Sequence, residues 1–316
     1  MSLFLSARFQ DQVGDASVGP KNLTPLFGML DGVASVPLEL ALLGDGSPST
    51  PCLLRMDIAL VGVRCAPTAP QLSSLAAFAK QMVRGSEAAR LLPATCYGLP
   101  TLDLLAAVFL YTLENPYPLY SCITVPLNVS GKRTLQSLQQ QLPYLKLFTL
   151  GLRCLPQGSC YHFRGALYRG VDIDRSAAFK GKYEAHTSAY QAGTVVVFAA
   201  PTSFSTSDQA AGAFTKGIQF VWPDGHGVKM HDLSAFEDEG EVVVDGPSMF
   251  EVTAATMTPT GTLVVVLKNI DSFVHYLTPD AASPPSPAPP PAPAPASATS
   301  APPPPCSRWW CRCPRP

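Results

Sequence analysis

The chain is short of charge. Asp, Glu, Lys and Arg make up 14% of it and the formal net charge is −1, so no strong field of one sign exists to draw nucleic acid or an anionic membrane as the main partner. Long apolar runs are also missing; none reaches the length that spans a bilayer, which speaks against a transmembrane segment. The opening Met1-Ser-Leu-Phe-Leu-Ser-Ala-Arg8 has no positive n-region, and its apolar run is too short for a secretory signal. No CxxC pair occurs among the nine cysteines, so the close paired spacing of a tetrahedral zinc site is lacking, and their irregular positions specify no disulfide framework. Gly181-Lys182 lacks the spaced glycine of a phosphate-binding loop. These absences lead to the expectation of a cytoplasmic chain with reduced thiols, no metal and no nucleic-acid partner.

What is present is an ordinary share of apolar residues, 47%, on a chain of 316, enough to bury a sizeable core in one large domain or two small ones. Proline is abundant and uneven. From about Ala281 to Pro316 the chain is dominated by Pro, Ala and Ser, a composition that favours extended polyproline and cannot bury a core. It ends in the basic, aromatic string Cys306-Ser-Arg-Trp-Trp-Cys-Arg-Cys313. This tail reads either as a docking segment for a partner or as a plain disordered extension.

Residues 1–97 show no chemistry. Val36–Leu43 and Ile58–Val63 look like strands, and Ser73–Leu92 like a helix capped by Ser73 or Ser74. From Pro100 the pattern sharpens. Thr101 is placed to cap a helix over Leu102–Thr112 that is apolar nearly all round and hence buried. Glu114–Tyr120 breaks it, and a more polar helix is expected over Lys132 to about Leu150, with Leu135, Leu138, Leu142 and Leu145 on one face. After Cys160 the period changes to that of strands: 161–171, 193–200, 217–222, 240–244, 248–253 and 261–267. Helices first and strands after predict an α+β domain, with an antiparallel β-sandwich or split barrel as its second part. The expected division is 1–97, a domain over 98–275, and the Pro-rich tail over 281–316.

Three features of the strand region carry chemistry. In Tyr168-Arg169-Gly170, the Arg can grip a phosphate with a planar fork, and the Gly lets a ligand approach the backbone; the alternative is a surface Arg ending a strand. Phe204-Ser205-Thr206-Ser207 gathers hydroxyls ahead of a helix over Asp208–Phe214, to bind a polar ligand or to cap that helix. In Ser234-Ala-Phe-Glu-Asp-Glu-Gly-Glu241, Glu239 and Glu241 stand two apart. On an extended backbone they would share a face and put two carboxylates in one site, one to stabilise an oxocarbenium ion and one to hold the nucleophile. A solvated acidic turn is the alternative. His226 and His231, near Asp224 and Asp232, fit no standard metal spacing.

The order Arg169, Ser205-Thr206-Ser207, Glu239-x-Glu241 resembles the arginine-type mono-ADP-ribosyltransferases, the Arg-Ser-Glu clade of vertebrate ecto-enzymes and bacterial toxins. The resemblance covers about Thr101 to Asn269 and extends to Phe109-Leu-Tyr-Thr112, Pro118-Leu-Tyr120 and Phe250-Glu-Val252. It departs at Asp245-Gly-Pro247, where the family often has Pro-Pro.

The resemblance implies an NAD-binding split-barrel core and NAD as co-substrate, with no metal. It implies that Arg169 and Gly170 hold an NAD phosphate, and that Ser205 bonds Glu241 or the nicotinamide ribose while Thr206 and Ser207 shape the strand. Glu241 would bind the ribose and stabilise the transition state, and Glu239 would orient an acceptor arginine. Ser234 would border the cofactor and Tyr111 lie near the adenosine. The expected function is transfer of ADP-ribose from NAD to protein arginine; NAD glycohydrolysis and a catalytically weak NAD-binding module are the alternatives.

Overall fold

Leu38, Ala41 and Leu42 recur at helical spacing and are fully buried, so Leu38–Leu43 folds as helix α1 and not as the expected strand; Gly44, at φ 72°, ends it. The computed structural model describes residues 24–25, 30, 32–47, 49–55, 67–113, 119–128, 138–156, 158–171, 189–198, 200–213, 217–245, 248–270 and 275–277. The strand expected at Ile58–Val63, the break at Glu114–Pro118, the start of the helix expected from Lys132 and the Pro-rich tail lie outside the described residues.

Helix α2 (Ala69–Val83) starts a turn earlier than Ser73. Thr68 precedes it, with Gln71 Oε1 accepting the Thr68 N–H at 2.8 Å, and Ser74 lies inside, its hydroxyl donating to the Pro70 carbonyl. Arg84-Gly85 then interrupts the run, and Ser86 Oγ accepts the Ala89 N–H to cap a separate helix α3 (Glu87–Leu91), so one expected helix is two. Helix α4 (Thr101–Thr112) is buried on nearly every side, as expected. Thr101 is its first residue and not its cap: the hydroxyl donates to the Pro93 carbonyl. Helix α5 (Leu119–Asn128) follows, then α6 (Leu142–Cys154), which has Pro143 in its first turn and buries Leu142 and Leu145.

The strands of the main, seven-stranded sheet are β1 (His162–Val171), β2 (Val195–Phe198), β3 (Thr202–Ser205), β4 (Ile218–Lys229), β5 (Glu241–Val244), β6 (Ser248–Met257) and β7 (Leu263–Asn269). Six fall where alternation predicts them. The seventh, β3, coincides with the hydroxyl cluster, and helix α7 (Asp208–Ala213) follows it. The sheet order is β1-β3-β5-β4-β7-β6-β2, and β1 also pairs with β4. Strands β1, β3, β5 and β4 therefore close into a small barrel-like ring, with β7, β6 and β2 extending from β4. One pairing corrects the all-antiparallel expectation: β4 and β7 run parallel, Ile218 opposite Leu263. Between them the chain makes the β5–β6 excursion, long enough to return in the same direction.

One buried cluster joins the helices to Tyr161, Val228, Met230 and Val243 of the sheet region. A second lies within the sheet, where Phe198, Phe204, Phe220, Trp222 and Phe250 pack edge to face with ring centroids 4.9 to 6.1 Å apart. All described residues belong to one compact unit. Helices α4 and α6 meet at Gly151, where a Cβ would lie 2.6 Å from the Leu104 carbonyl oxygen. Asp103, 4% exposed, accepts the Leu38 N–H at 2.9 Å and faces Lys80 Nζ at 2.8 Å, tying α4 to α1 and α2.

Replacing Gly by Ala inside a helix ordinarily stabilises by about 1 kcal/mol. At Gly151 the sign is expected to reverse, Gly151→Ala costing roughly 2 kcal/mol in urea unfolding because two helix backbones must part. Asp103→Ala is expected to cost about 2 kcal/mol by the same measurement, since it orphans the buried Leu38 N–H and takes one of two carboxylates from Lys80, leaving only Glu39.

Candidate active site

Tyr168 and Arg169 sit near the end of β1, the strand of the ring that touches both β3 and β4: Tyr168 pairs with Ser205 on one side and Val221 on the other. The neighbouring Arg169 is 1% exposed, not a surface residue. Its Nη1 donates to the Ser203 carbonyl at 2.6 Å. Burial pushes its pKa down to about 10, opposed by the pull of Tyr111, Tyr190 and Glu241. The guanidinium therefore remains charged at neutral pH.

Glu241 opens β5 directly across from Ser205 and is 5% exposed. Its carbonyl accepts the Met230 N–H at 2.9 Å, and Ser234 Oγ donates to its Oε2 at 3.4 Å. Ser205 bonds the backbone on either side of it in the cleft wall. Its hydroxyl donates to the Glu239 carbonyl at 2.9 Å and accepts the Ser207 N–H at 3.0 Å, so it holds the acidic loop by its backbone, and the neighbouring hydroxyl on the Glu241 carboxylate is that of Ser234.

Glu239 is not on the strand. Glu237–Glu239 form a single 3-10 turn, and Gly240 follows in the left-handed region at φ 57°. The shared face of an extended i, i+2 pair is therefore not what unites the two carboxylates. The left-handed residue swings Glu239 onto the same cleft from a turn. A Cβ on Gly240 would lie 2.5 Å from Thr206 Oγ1, and the Thr206 N–H donates to the Gly240 carbonyl at 3.0 Å. Thr206 packs this junction. Ser207 caps α7, its Oγ accepting the Ala210 N–H at 3.1 Å.

Arg169, Gly170, Ser205, Glu239 and Glu241 line one small cleft, walled on one side by Ala210 and Ala211 of α7. Thr206, Ser207, Ser234 and Tyr111 stand outside its lining. Tyr111 lies deep in the helical core, its ring 4.4 Å from that of Phe148 and its hydroxyl donating to the Pro201 carbonyl at 2.9 Å. Two contributors escape sequence reasoning. The Ser203 carbonyl grips Arg169, which only the pairing of strands could reveal. Thr112 Oγ1 accepts the Ala235 N–H at 3.0 Å, anchoring the acidic loop to the end of α4.

Chemically, a buried carboxylate at a cleft wall favours a cation forming beside it, and a fixed guanidinium at the same wall favours an anionic group. A second carboxylate at the rim can hold a cationic or protic group entering from solvent. Among the described residues no helix is long and apolar enough to cross a membrane.

The chain is similar in structure to the type III effector XopAI of Xanthomonas axonopodis pv. citri, at 16% identity and a TM-score of 0.45 over 67% of this chain and 84% of that one. It is similar also to the ADP-ribosyltransferase HopU1 of Pseudomonas syringae pv. Tomato DC3000, at 20% identity and a TM-score of 0.41 over 62% and 97%. A third is Vis toxin, an ADP-ribosyltransferase from Vibrio splendidus, at 16% and 0.41 over 71% and 98%. Among curated proteins no sequence matches. The family described as NAD:arginine ADP-ribosyltransferase matches residues 103–273, more than half of the chain and every residue of the cleft, and the chain belongs to that family.

Proposed function

We propose that the chain transfers ADP-ribose from NAD to the guanidinium of arginine side chains in acceptor proteins and releases nicotinamide, through the cleft between Arg169 and Glu241. Family membership makes NAD the ADP-ribose donor. The observation that carries the finer reading is the convergence of Arg169, Ser205, Glu239 and Glu241 on one cleft.

In this reading the Glu241 carboxylate binds a hydroxyl of the nicotinamide ribose and stabilises the oxocarbenium ion as the glycosidic bond breaks and nicotinamide departs with the bonding pair. Arg169 braces the wall and turns its positive charge toward an NAD phosphate, which Gly170, without a side chain, lets come close. Ser205 sets the position of Glu239 through the Glu239 carbonyl, and Ser234 aims the Glu241 carboxylate. Thr206 and Ser207 keep β3, α7 and the acidic turn in register. Glu239, half-buried at the rim, orients the acceptor guanidinium, whose nitrogen attacks the ribose and loses a proton. Tyr111 supports the site from the core, by way of Pro201. We place the transferase domain at residues 98–275 and, on composition alone, read the segment from Ala281 as a plain Pro-rich extension, with partner docking as the second reading.

Glu241→Gln keeps size and loses charge; it is expected to lower turnover of labelled NAD with agmatine by about 10²–10³-fold while leaving the circular dichroism spectrum unchanged. Activity equal to the parent would remove Glu241 from the chemistry. Glu239→Ala is expected to abolish label transfer to agmatine while nicotinamide release into water continues. If NAD is cleaved and agmatine leaves the products of the unaltered chain the same, the chain is an NAD glycohydrolase and the arginine reading fails.

A further inference from the structure

We propose that Glu87, Cys160 and His231 form a binding site for a divalent cation of the zinc type, away from the NAD cleft. The three come from separate segments: Glu87 is the first residue of α3, Cys160 precedes β1, and His231 lies in the 3-10 turn after β4. One ligand atom from each, a carboxylate oxygen, a thiol sulfur and an imidazole nitrogen, lies within 4.8 Å of the other two. Cys160 and His231 are exposed and Glu87 half-buried, so a hydrated cation reaches them without opening the core. Cys160 Sγ already donates to Glu87 Oε2 at 3.5 Å.

The donor set decides which cation. Thiolate with imidazole selects borderline ions such as zinc or cobalt, whereas magnesium and calcium require oxygen ligands. Three protein ligands leave a fourth position for water. On binding, the Cys160 thiol passes its proton to solvent, the three ligands displace water from the cation, and no group changes oxidation state.

The scaffold beneath the triad is built. Asp232, next to His231, accepts the Tyr161 hydroxyl at 2.7 Å on one oxygen and the Glu87 N–H at 2.7 Å on the other, and the Tyr161 hydroxyl accepts the Ala88 N–H at 2.7 Å. These bonds fix the start of α3 against the His231 turn before any cation arrives, and Asp232 adds negative charge beside it. His226, the other histidine of that region, packs against Trp222 and takes no part.

The test uses the full chain and reads one thiol, because Cys306, Cys311 and Cys313 can also bind zinc. Alkylation of Cys160 by iodoacetamide is followed by mass spectrometry of its peptide. Zinc in slight excess is expected to slow it about tenfold, and magnesium not at all. The protection is expected to fall to less than half in His231→Asn, a substitution suited to the positive φ of 38° at that position, and in Glu87→Gln. An unchanged rate with zinc, or protection equal in His231→Asn, would overturn the site. Neither readout depends on transferase activity, so the failure of one proposal leaves the other standing.

Discussion

The rest of the site hangs on one buried cation. A guanidinium taken out of water loses several kcal/mol of hydration that must be returned by close, well-aimed partners. At Arg169 part of the return comes from the Ser203 carbonyl at 2.6 Å, with the pull of Tyr111, Tyr190 and Glu241 beside it; Ser203 and Glu241 belong to the sheet. Both partners stand on strands that must lie beside β1 or one strand further around the ring, and the closure of β1, β3, β5 and β4 puts them there. An open sheet would leave the cation at an edge, in water and uncommitted. Burial lowers its pKa to about 10, which still leaves a full positive charge in a wall that water scarcely reaches. Charges held in such surroundings act over a cleft more strongly than exposed ones.

The helical layer supports the loop that carries the carboxylates. Thr112 closes α4 by donating to the Phe109 carbonyl and accepts the Ala235 N–H on the same oxygen. Tyr111, one residue before, reaches Pro201 at the entry to β3. The end of one buried helix thus touches both segments that flank the cleft. That accounts for a tyrosine and a threonine at the close of an otherwise hydrocarbon helix: each hydroxyl has a backbone partner across a layer boundary, where an apolar residue would leave one unmet.

Much of this was legible in the sequence because the strongest local signals coincided with the elements. Short apolar runs of strand period, bounded by turn residues, marked six strands, and an all-round apolar run marked α4. The readings that failed did so where local pattern and tertiary demand diverge. Leu38–Leu43 alternates weakly, but its buried set is i, i+3, i+4, and helix packing decided it. Strand β3 is a four-residue piece rich in hydroxyls, whose pairing partners alone make it a strand. The parallel contact of β4 with β7 depends on how the chain returns, which no window of sequence encodes. At the site, the residue types and their order were readable. The bond from Ser205 to the Glu239 backbone was not, nor was the turn that carries Glu239, since both follow from the conformation of Gly240.

That conformation separates two jobs mechanically. Glu241 is fixed by strand pairing with Ser205 and by Ser234, whereas Glu239 belongs to a 3-10 turn reached through a left-handed joint that Thr206 Oγ1 keeps free of any side chain. A side chain exchanged at 239 therefore alters the mouth of the cleft without shifting the strand behind it. The joint itself tolerates no such exchange. Adjacent positions of one short acidic string are thus held to different degrees: the side chain at 239 is replaceable without moving β5, while the glycine between it and Glu241 admits no side chain.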